Sequence, residues 1–190
     1  MRTAEITRRT KETDVRVKIN LDGTGKVKAE TGIKFFDHLL ESMCKHGRID
    51  LDARARGDFP HHTAEDTMIV LGEAVNKALG KKRGIARMGD AIVPMDDTLV
   101  MAAVDLSGRA FPDIRASFSK KKIEDMSSDL IIHLLQTLAV SGRMNLHVQV
   151  MRGDNDHHKA EAIFKAVGVA LSRAVARTRG KGVPSTKGAI

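Results

Sequence analysis

The sequence predicts an α+β fold made of two duplicated half-domains, each a four-stranded sheet covered on one face by two helices. Three observations lead there. The motif His61-His62-Thr63-Ala64-Glu65 recurs as His157-His158-Lys159-Ala160-Glu161, and each copy follows an Arg-Gly-Asp, at Arg56-Gly57-Asp58 and Arg152-Gly153-Asp154. The likeness extends upstream: Gly47-Arg48-Ile49-Asp50-Leu51 matches Gly142-Arg143-Met144-Asn145-Leu146, and His38-Leu39-Leu40 matches His133-Leu134-Leu135, both at an offset of 95. The double-His motif follows at an offset of 96, so one residue is inserted between Gly142 and Arg152. Finally, hydrophobic periods of two and of 3.6 alternate in the same order in both halves.

Taken in order, Val15 to Leu21 alternates apolar and charged residues, as a half-buried strand does. Asp22-Gly23-Thr24-Gly25 reads as a hairpin turn and Lys26 to Thr31 as its returning strand. Phe35 to Met43 has helical spacing and places His38 near its start. Arg48 to Ala55 alternates again. After Pro60, His61 to Leu79 puts Met68, Leu71, Val75 and Leu79 on one helical face. The second half repeats this with strands at Thr98 to Leu106, Asp113 to Phe118 and Met144 to Met151, and helices at Ser127 to Ser141 and His157 to Thr178. The pattern thus places three of the four strands expected in each half. Gly80 and Gly84 bracket a basic junction, which divides the chain into halves 1–84 and 85–190, the second ending in a basic tail.

Composition narrows the class. The 190 residues suffice for a core, and the one cysteine, Cys44, excludes an intramolecular disulfide framework and fits a reducing compartment. No apolar run approaches the roughly 20 residues of a membrane span, and Met1 to Lys11 is too polar for a secretory signal. The expectation is a cytoplasmic protein with no membrane partner. A net charge of +8 invites nucleic acid, but there is no Trp or Tyr to stack on bases, the six Phe are scattered, and the basic residues are dispersed apart from Lys120-Lys121-Lys122 and a tail from Arg173 to Lys187. The expected partner is a small anionic molecule and not nucleic acid.

The histidines carry the chemistry. His61 and Glu65, like His157 and Glu161, stand one helical turn apart and can grip one ion, whereas His62 and His158 point about 100° away. With His38 and His133 there are six imidazoles and two carboxylates, enough for two ions with three His and one Glu each. A thiolate-free set of this kind suits Mn, Fe, Co, Ni or Zn. Vicinal histidines facing different ions are natural where subunits meet. His46 and His147 break the repeat and read as ordinary surface or strand residues. From these ligands alone, a metal-dependent hydrolase and a metal-storing or RNA-associated protein remain open.

The chain resembles the imidazoleglycerol-phosphate dehydratases of histidine biosynthesis along essentially its whole length. The likeness rests on Arg9-Thr10-Lys11-Glu12-Thr13, Phe35-Phe36-Asp37-His38-Leu39-Leu40, His61 to Thr67, Pro94-Met95-Asp96-Asp97, Asp105-Leu106-Ser107-Gly108-Arg109, Asp156 to Ala162, and Pro184-Ser185-Thr186-Lys187-Gly188. One departure is a shortened approach to the first motif at Gly57-Asp58-Phe59-Pro60. The resemblance implies two Mn(II) ions per active site, held by His38, His61, His62, Glu65, His133, His157, His158 and Glu161. It implies substrate binding by Glu12, Arg87, Arg109, Ser185 and Lys187, the last four at the phosphate, and makes Glu12, Glu65 and Glu161 the catalytic carboxylates. It further implies a homo-oligomer of 24 subunits with active sites between chains, the tail around Ser185 to Lys187 reaching a neighbouring site.

The implied reaction is dehydration of D-erythro-imidazole-glycerol 3-phosphate to imidazole-acetol phosphate, a carbon–oxygen hydro-lyase reaction. No carbonyl in that substrate can stabilise a carbanion. A metal-bound imidazolate can instead push out the neighbouring hydroxyl, giving a diazafulvene-like intermediate. Glu12 or a metal-linked base then takes the adjacent carbon's proton, and the enol becomes the ketone.

Overall fold

The structure is a computed structural model, which describes residues 1–188 and 190. In the first half, strands β1 (Thr3–Arg9), β2 (Thr13–Asn20), β3 (Val27–Glu30) and β4 (Asp50–Gly57) accompany helices α1 (Lys34–His46) and α2 (Pro60–Leu79). In the second, β5 (Met88–Met95), β6 (Thr98–Asp105), β7 (Phe111–Arg115) and β10 (Asn145–Arg152) accompany α3 (Ser128–Ser141) and α4 (Asp156–Val175). A small hairpin, β8 (Lys122–Ile123) with β9 (Met126–Ser127), precedes α3. The sheets run β1-β2-β4-β3 and β5-β6-β10-β7, the same topology twice. The predicted class therefore holds: two four-stranded sheets, each with its own two helices on one face.

Burial follows from the period-two pattern. In β2 the side chains of Val15, Val17 and Ile19 are buried while Asp14, Arg16 and Lys18 face solvent. The buried faces of both sheets look inward onto the helices, and α1 packs on α4 while α2 packs on α3. The helices therefore form the middle of the molecule, and one continuous core runs through it, from Phe36 and Leu39 to Leu135 and Phe164.

Two expectations need correction. Asp22 to Gly25 does not close a hairpin: β3 lies on the far side of β4 and runs parallel to it. The loop instead passes over the start of β4, where Asp50 Oδ1 accepts the N–H groups of Thr24, Gly25 and Lys26 at 2.9, 3.1 and 2.9 Å. A Cβ on Gly23 would come within 2.6 Å of the Asp50 side chain, so that turn needs glycine for closeness rather than for hairpin geometry. The parallel pair β3 and β4 then requires a crossover, which α1 supplies. The remaining strand of each half is an edge strand, β1 or β5, outside the segments assigned from periodicity. The last helix also ends at Val175 rather than Thr178.

Glycine governs the helix layer. Gly47 ends α1 and would, with a side chain, meet the Gly168 carbonyl of α4 at 2.7 Å; a Cβ on Gly168 would overlap the Met43 carbonyl of α1. The repeat-equivalent pair does the same for α2 and α3: a Cβ on Gly72 would lie 2.7 Å from the Gly142 backbone nitrogen. Because Gly47 and Gly142 are in the ordinary right-handed region, at φ −74° and −78°, the left-handed turn after each helix falls on Arg48 and Arg143, at φ 55° and 50°. Ordinarily Gly→Ala inside a helix stabilises by up to ~1 kcal/mol. Gly168→Ala and Gly72→Ala should instead destabilise by about 1–3 kcal/mol through overpacking, measured by urea denaturation followed by far-UV circular dichroism; a gain in stability would show that the helix contact can relax.

Candidate metal centre

Each predicted ligand sits at or near a helix start for a local reason. Pro60 occupies the first turn of α2, where its missing N–H costs nothing, and so launches His61 and His62. In α4 the Asn155 side chain caps the helix by accepting from His157 and His158 N–H at 2.9 and 3.4 Å. His38 lies on α1, whose first N–H groups, on Lys34 and Phe35, are capped at 2.8 and 3.0 Å by Asp125 from the β8–β9 turn of the other half. Asp156, buried at the head of α4, accepts from Ser119 and Lys120 and pairs with the buried Lys159 at 2.6 Å.

The helix packing gathers the ligands across the halves. Glu161 Oε2 lies 3.2 Å from His38 Nε2 and 3.5 Å from His157 Nε2. Glu65 Oε1 lies 2.8 Å from His133 Nε2, and its Oε2 lies 3.9 Å from His61 Nε2. In each triad the donor atoms all lie within 4.8 Å of one another. Each triad takes ligands from both halves, so neither half could form one alone. The first opens into a cleft of about 660 Å³ that Phe35 and Glu124 also line.

The two triads differ in their surroundings. Glu161 is buried, which by itself would raise its pKa, but hydrogen bonds from Lys165 and His38 more than offset that and hold it at about 2. Lys165 Nζ lies 2.9 Å and Ser42 Oγ 3.3 Å from Glu161 Oε1, which leaves Oε2 to the histidines. Glu65 has Ile69 at the position equivalent to Lys165, and its side chain is 34% exposed.

His62 and His158 do not join these triads, as their helical position requires. His62 Nδ1 lies 2.9 Å from Asp58 Oδ1 and 3.8 Å from Glu12 Oε2, and these three form a separate cluster. His158 Nδ1 lies 2.7 Å from Asp97 Oδ1, and its Nε2 3.5 Å from Asp96 Oδ2. Asp58 raises the His62 pKa through its hydrogen bond, and the Asn155 N–H, His158 and the Asp154 N–H hold Asp97 far below the usual carboxylate range. A single chain therefore offers two imidazoles and one carboxylate per ion where three imidazoles were expected. The sequence assigned no role to Asp58, Asp97, Glu124, Ser42 or Lys165; β2 and β6 hold the same place in the two sheets and start at Thr13 and Thr98, which makes Asp97 the counterpart of Glu12.

The donors are imidazole and carboxylate. Cys44 is buried, which pushes its thiol up to about 12 and leaves it a poor ligand. An oxygen and nitrogen set of this kind fits a divalent ion of the Mn to Zn series.

The four expected phosphate contacts lie elsewhere in the chain. Arg87 is held by Asp105 at 2.7 and 3.0 Å and donates to the Pro184 carbonyl at 2.9 Å. Ser185 and Lys187 follow on that tail, with Lys187 N–H donating to Ser185 Oγ at 3.2 Å. Arg109 is exposed in the loop after β6, its carbonyl accepting from Asn145 at 2.8 Å. All four belong to the Asp105 end of β6, whereas Asp97 and His158 belong to the Thr98 end. Seven strand steps, about 23 Å, separate those ends.

The sequence profile of the imidazoleglycerol-phosphate dehydratases matches residues 31–171. The chain belongs to this family. It is 49% identical over 191 residues to the imidazoleglycerol-phosphate dehydratase of Dehalococcoides mccartyi (strain CBDB1), covering all of this chain and 97% of that protein. The enzyme of the same name from Methanococcoides burtonii is also 49% identical, with both chains covered in full. Among solved structures, imidazoleglycerol-phosphate dehydratase from Staphylococcus aureus N315 superimposes with a TM-score of 0.85 at 32% identity, over 93% of this chain and 99% of that one. The Pyrococcus furiosus structure, a complex with (S)-C348, gives 0.84 at 34% identity, over 97% and 100%. The protein is accordingly an enzyme, a dehydratase of the hydro-lyase class that serves histidine biosynthesis.

The carboxylates at the heads of the helices give a pH prediction for the metal-free protein. Burial opposes ionisation of Asp156, but Lys159, Ser119 and Lys120 overcome it and depress its pKa, as Lys165 and His38 do for Glu161. A carboxyl depressed on folding contributes stability that is complete above its unfolded pKa, about 4, and is lost as pH falls through the folded value. These carboxyls add no pH dependence above about pH 5, and the melting temperature should fall steeply from about pH 4 toward 2. Circular dichroism is the suitable probe, since the chain has no Trp or Tyr. A melting temperature unchanged down to pH 2 would mean these pairs contribute nothing.

Proposed function

We propose that the protein catalyses the Mn(II)-dependent dehydration of D-erythro-imidazole-glycerol 3-phosphate to imidazole-acetol phosphate in the cytoplasm. The observation that carries this reading is the pair of cross-half triads, His38 with His157 and Glu161, and His61 with Glu65 and His133. Two ions so held suit a substrate whose imidazole ring has two nitrogens. His62 and His158 would complete the ligand sets from neighbouring subunits.

Two Mn(II) ions would supply Lewis acidity, which stabilises negative charge on the substrate's ring. The chain's residues do the rest. Glu12 is exposed at the His62 corner and makes no hydrogen bond through its side chain among the described residues, so its carboxylate is free to take the proton from the carbon next to the one that loses hydroxyl. The resulting enol becomes the ketone. Arg87, Arg109, Ser185 and Lys187 bind the phosphate, with Asp105 fixing the Arg87 guanidinium in a two-pronged grip.

The 23 Å between the two ends of β6 supports an active site shared between chains, in a homo-oligomer of 24 subunits, because one chain cannot bring its Arg87 and tail to its own His158 corner. The test begins with chelator-stripped protein, which should be inactive and regain turnover with Mn(II). No ketone from folded, Mn-loaded protein would overturn the proposal. Glu12→Gln should lower kcat by about 10²–10⁴ while metal content stays constant; unchanged turnover would remove Glu12 from the mechanism.

Sharing has its own test. Arg87→Ala and His158→Ala proteins should each be nearly inactive. Subunits mixed in equal amounts should recover about a quarter of wild-type turnover, since each site then draws the two residues independently from different chains. No recovery in verified mixed assemblies would place both residues in one chain's site.

A further inference from the structure

The two corners that hold the second histidine of each motif are equivalent by repeat but built differently. In the first, His62 Nδ1 faces Asp58 Oδ1 at 2.9 Å, and the same oxygen accepts the Phe59 N–H at 2.7 Å. In the second, the repeat counterpart of Asp58 is Asp154, which among the described residues offers only its backbone N–H, to Asp97 Oδ2. Asp97 Oδ2 also accepts the Asn155 N–H at 2.9 Å, while Oδ1 takes His158 Nδ1 at 2.7 Å. Asp97 is in turn the counterpart of Glu12, which stays 3.8 Å from His62. The carboxylate that faces the imidazole has therefore changed position between the halves.

An ionised carboxylate can only accept, so the ring nitrogen facing it must carry the proton. The neutral ring then has its lone pair on Nε2, the nitrogen a metal needs. We propose that Asp58 and Asp97 are positioning residues, which hold Nδ1–H of His62 and His158 so that each ring presents Nε2 to a metal ion. Because Asp58 performs this in the first half, Glu12 is released from it and keeps a free carboxylate; in the second half Asp97 performs it and is fully engaged. At the position shared by Glu12 and Asp97, one corner of the duplicated pair thus keeps an unengaged carboxylate and the other does not; the exposed Asp96 stands beside the second, its Oδ2 3.5 Å from His158 Nε2. The inference rests on the metal reading above and adds to it which nitrogen binds and what fixes it.

Asp97→Asn tests it with little change of shape. Its amide oxygen is required by the Asp154 and Asn155 N–H groups, so its NH2 must face His158 Nδ1 and favour the tautomer with the proton on Nε2. Mn(II) titration of assembled, metal-stripped protein, with free Mn(II) read by electron paramagnetic resonance, should give two tight ions per chain for the wild type. In Asp97→Asn one of these should weaken by about 10–100-fold with the melting temperature of the metal-free protein near wild type. Asp58→Ala, which removes the single oxygen that accepts both His62 Nδ1 and the Phe59 N–H, should weaken one ion likewise. Asp154→Asn, whose side chain makes no hydrogen bond among the described residues, should leave both ions tight. Equal Mn(II) affinity in Asp97→Asn and wild type would overturn the positioning role, as would equal weakening in Asp154→Asn. A wild type that binds no Mn(II) would instead remove the metal reading itself.

Discussion

The close approach of backbone to backbone at Gly47–Gly168 and Gly72–Gly142 is the constraint on which the rest depends. It sets the distance of α1 from α4 and of α2 from α3, and those are the helix pairs that carry each triad across the halves. A metal ligand works within a few tenths of an ångström of ~2.1 Å. Helices held apart by even one methyl group would therefore carry His38 away from His157 and Glu161. The sheets on the outside clamp the helix layer from both sides, so the contact has little freedom to slide.

Duplication supplies two similar centres, and the residues around them have since diverged. Glu161 is buried, with Lys165 and Ser42 on one oxygen; Glu65 is partly exposed with Ile69 in place of the lysine. A carboxylate tied down by a cation is a fixed ligand of reduced basicity, whereas an exposed one can move and exchange protons. The same divergence marks the outer corners, where the Asp97 side chain is engaged by the Asp154 and Asn155 N–H groups, His158 and the Thr98 hydroxyl, and that of Glu12 by no donor at hydrogen-bond distance among the described residues. An asymmetric substrate, with a ring at one end and a phosphate at the other, calls for this inequality between the centres.

Much of this was legible in the chain. The repeat offset exposed the duplication, the 3.6-residue period placed all four helices, and the double-His spacing separated the inward from the outward imidazoles. What was not legible has physical reasons. Edge strands β1 and β5 pair on one side only, so charged residues and Pro94 are tolerated and the alternation is weak. The turn at Asp22 to Gly25 signals a reversal but not which neighbour the next strand will choose. Asp125 and Asp97 act across long stretches of sequence, on α1 and on His158, and such contacts leave no local periodic trace. The helix glycines look like weak points in a helix until the partner backbone is seen against them.

The separation of functions along β6 shapes the electrostatics as well. The cations that fit a phosphate lie at the Asp105 end, partly neutralised by Asp105, while the carboxylates and imidazoles that fit metal ions lie at the other. Keeping them about 23 Å apart within the chain leaves the outer imidazoles facing carboxylates, Asp58 for His62 and Asp96 and Asp97 for His158. On the shared-site reading, assembly then brings a neighbour's cations to the edge of a centre whose charge the metal has already inverted. On the same reading metal occupancy and assembly would be coupled: an ion would offset the carboxylates of the outer corner and let it accept the phosphate-bearing substrate and the basic tail of the next chain.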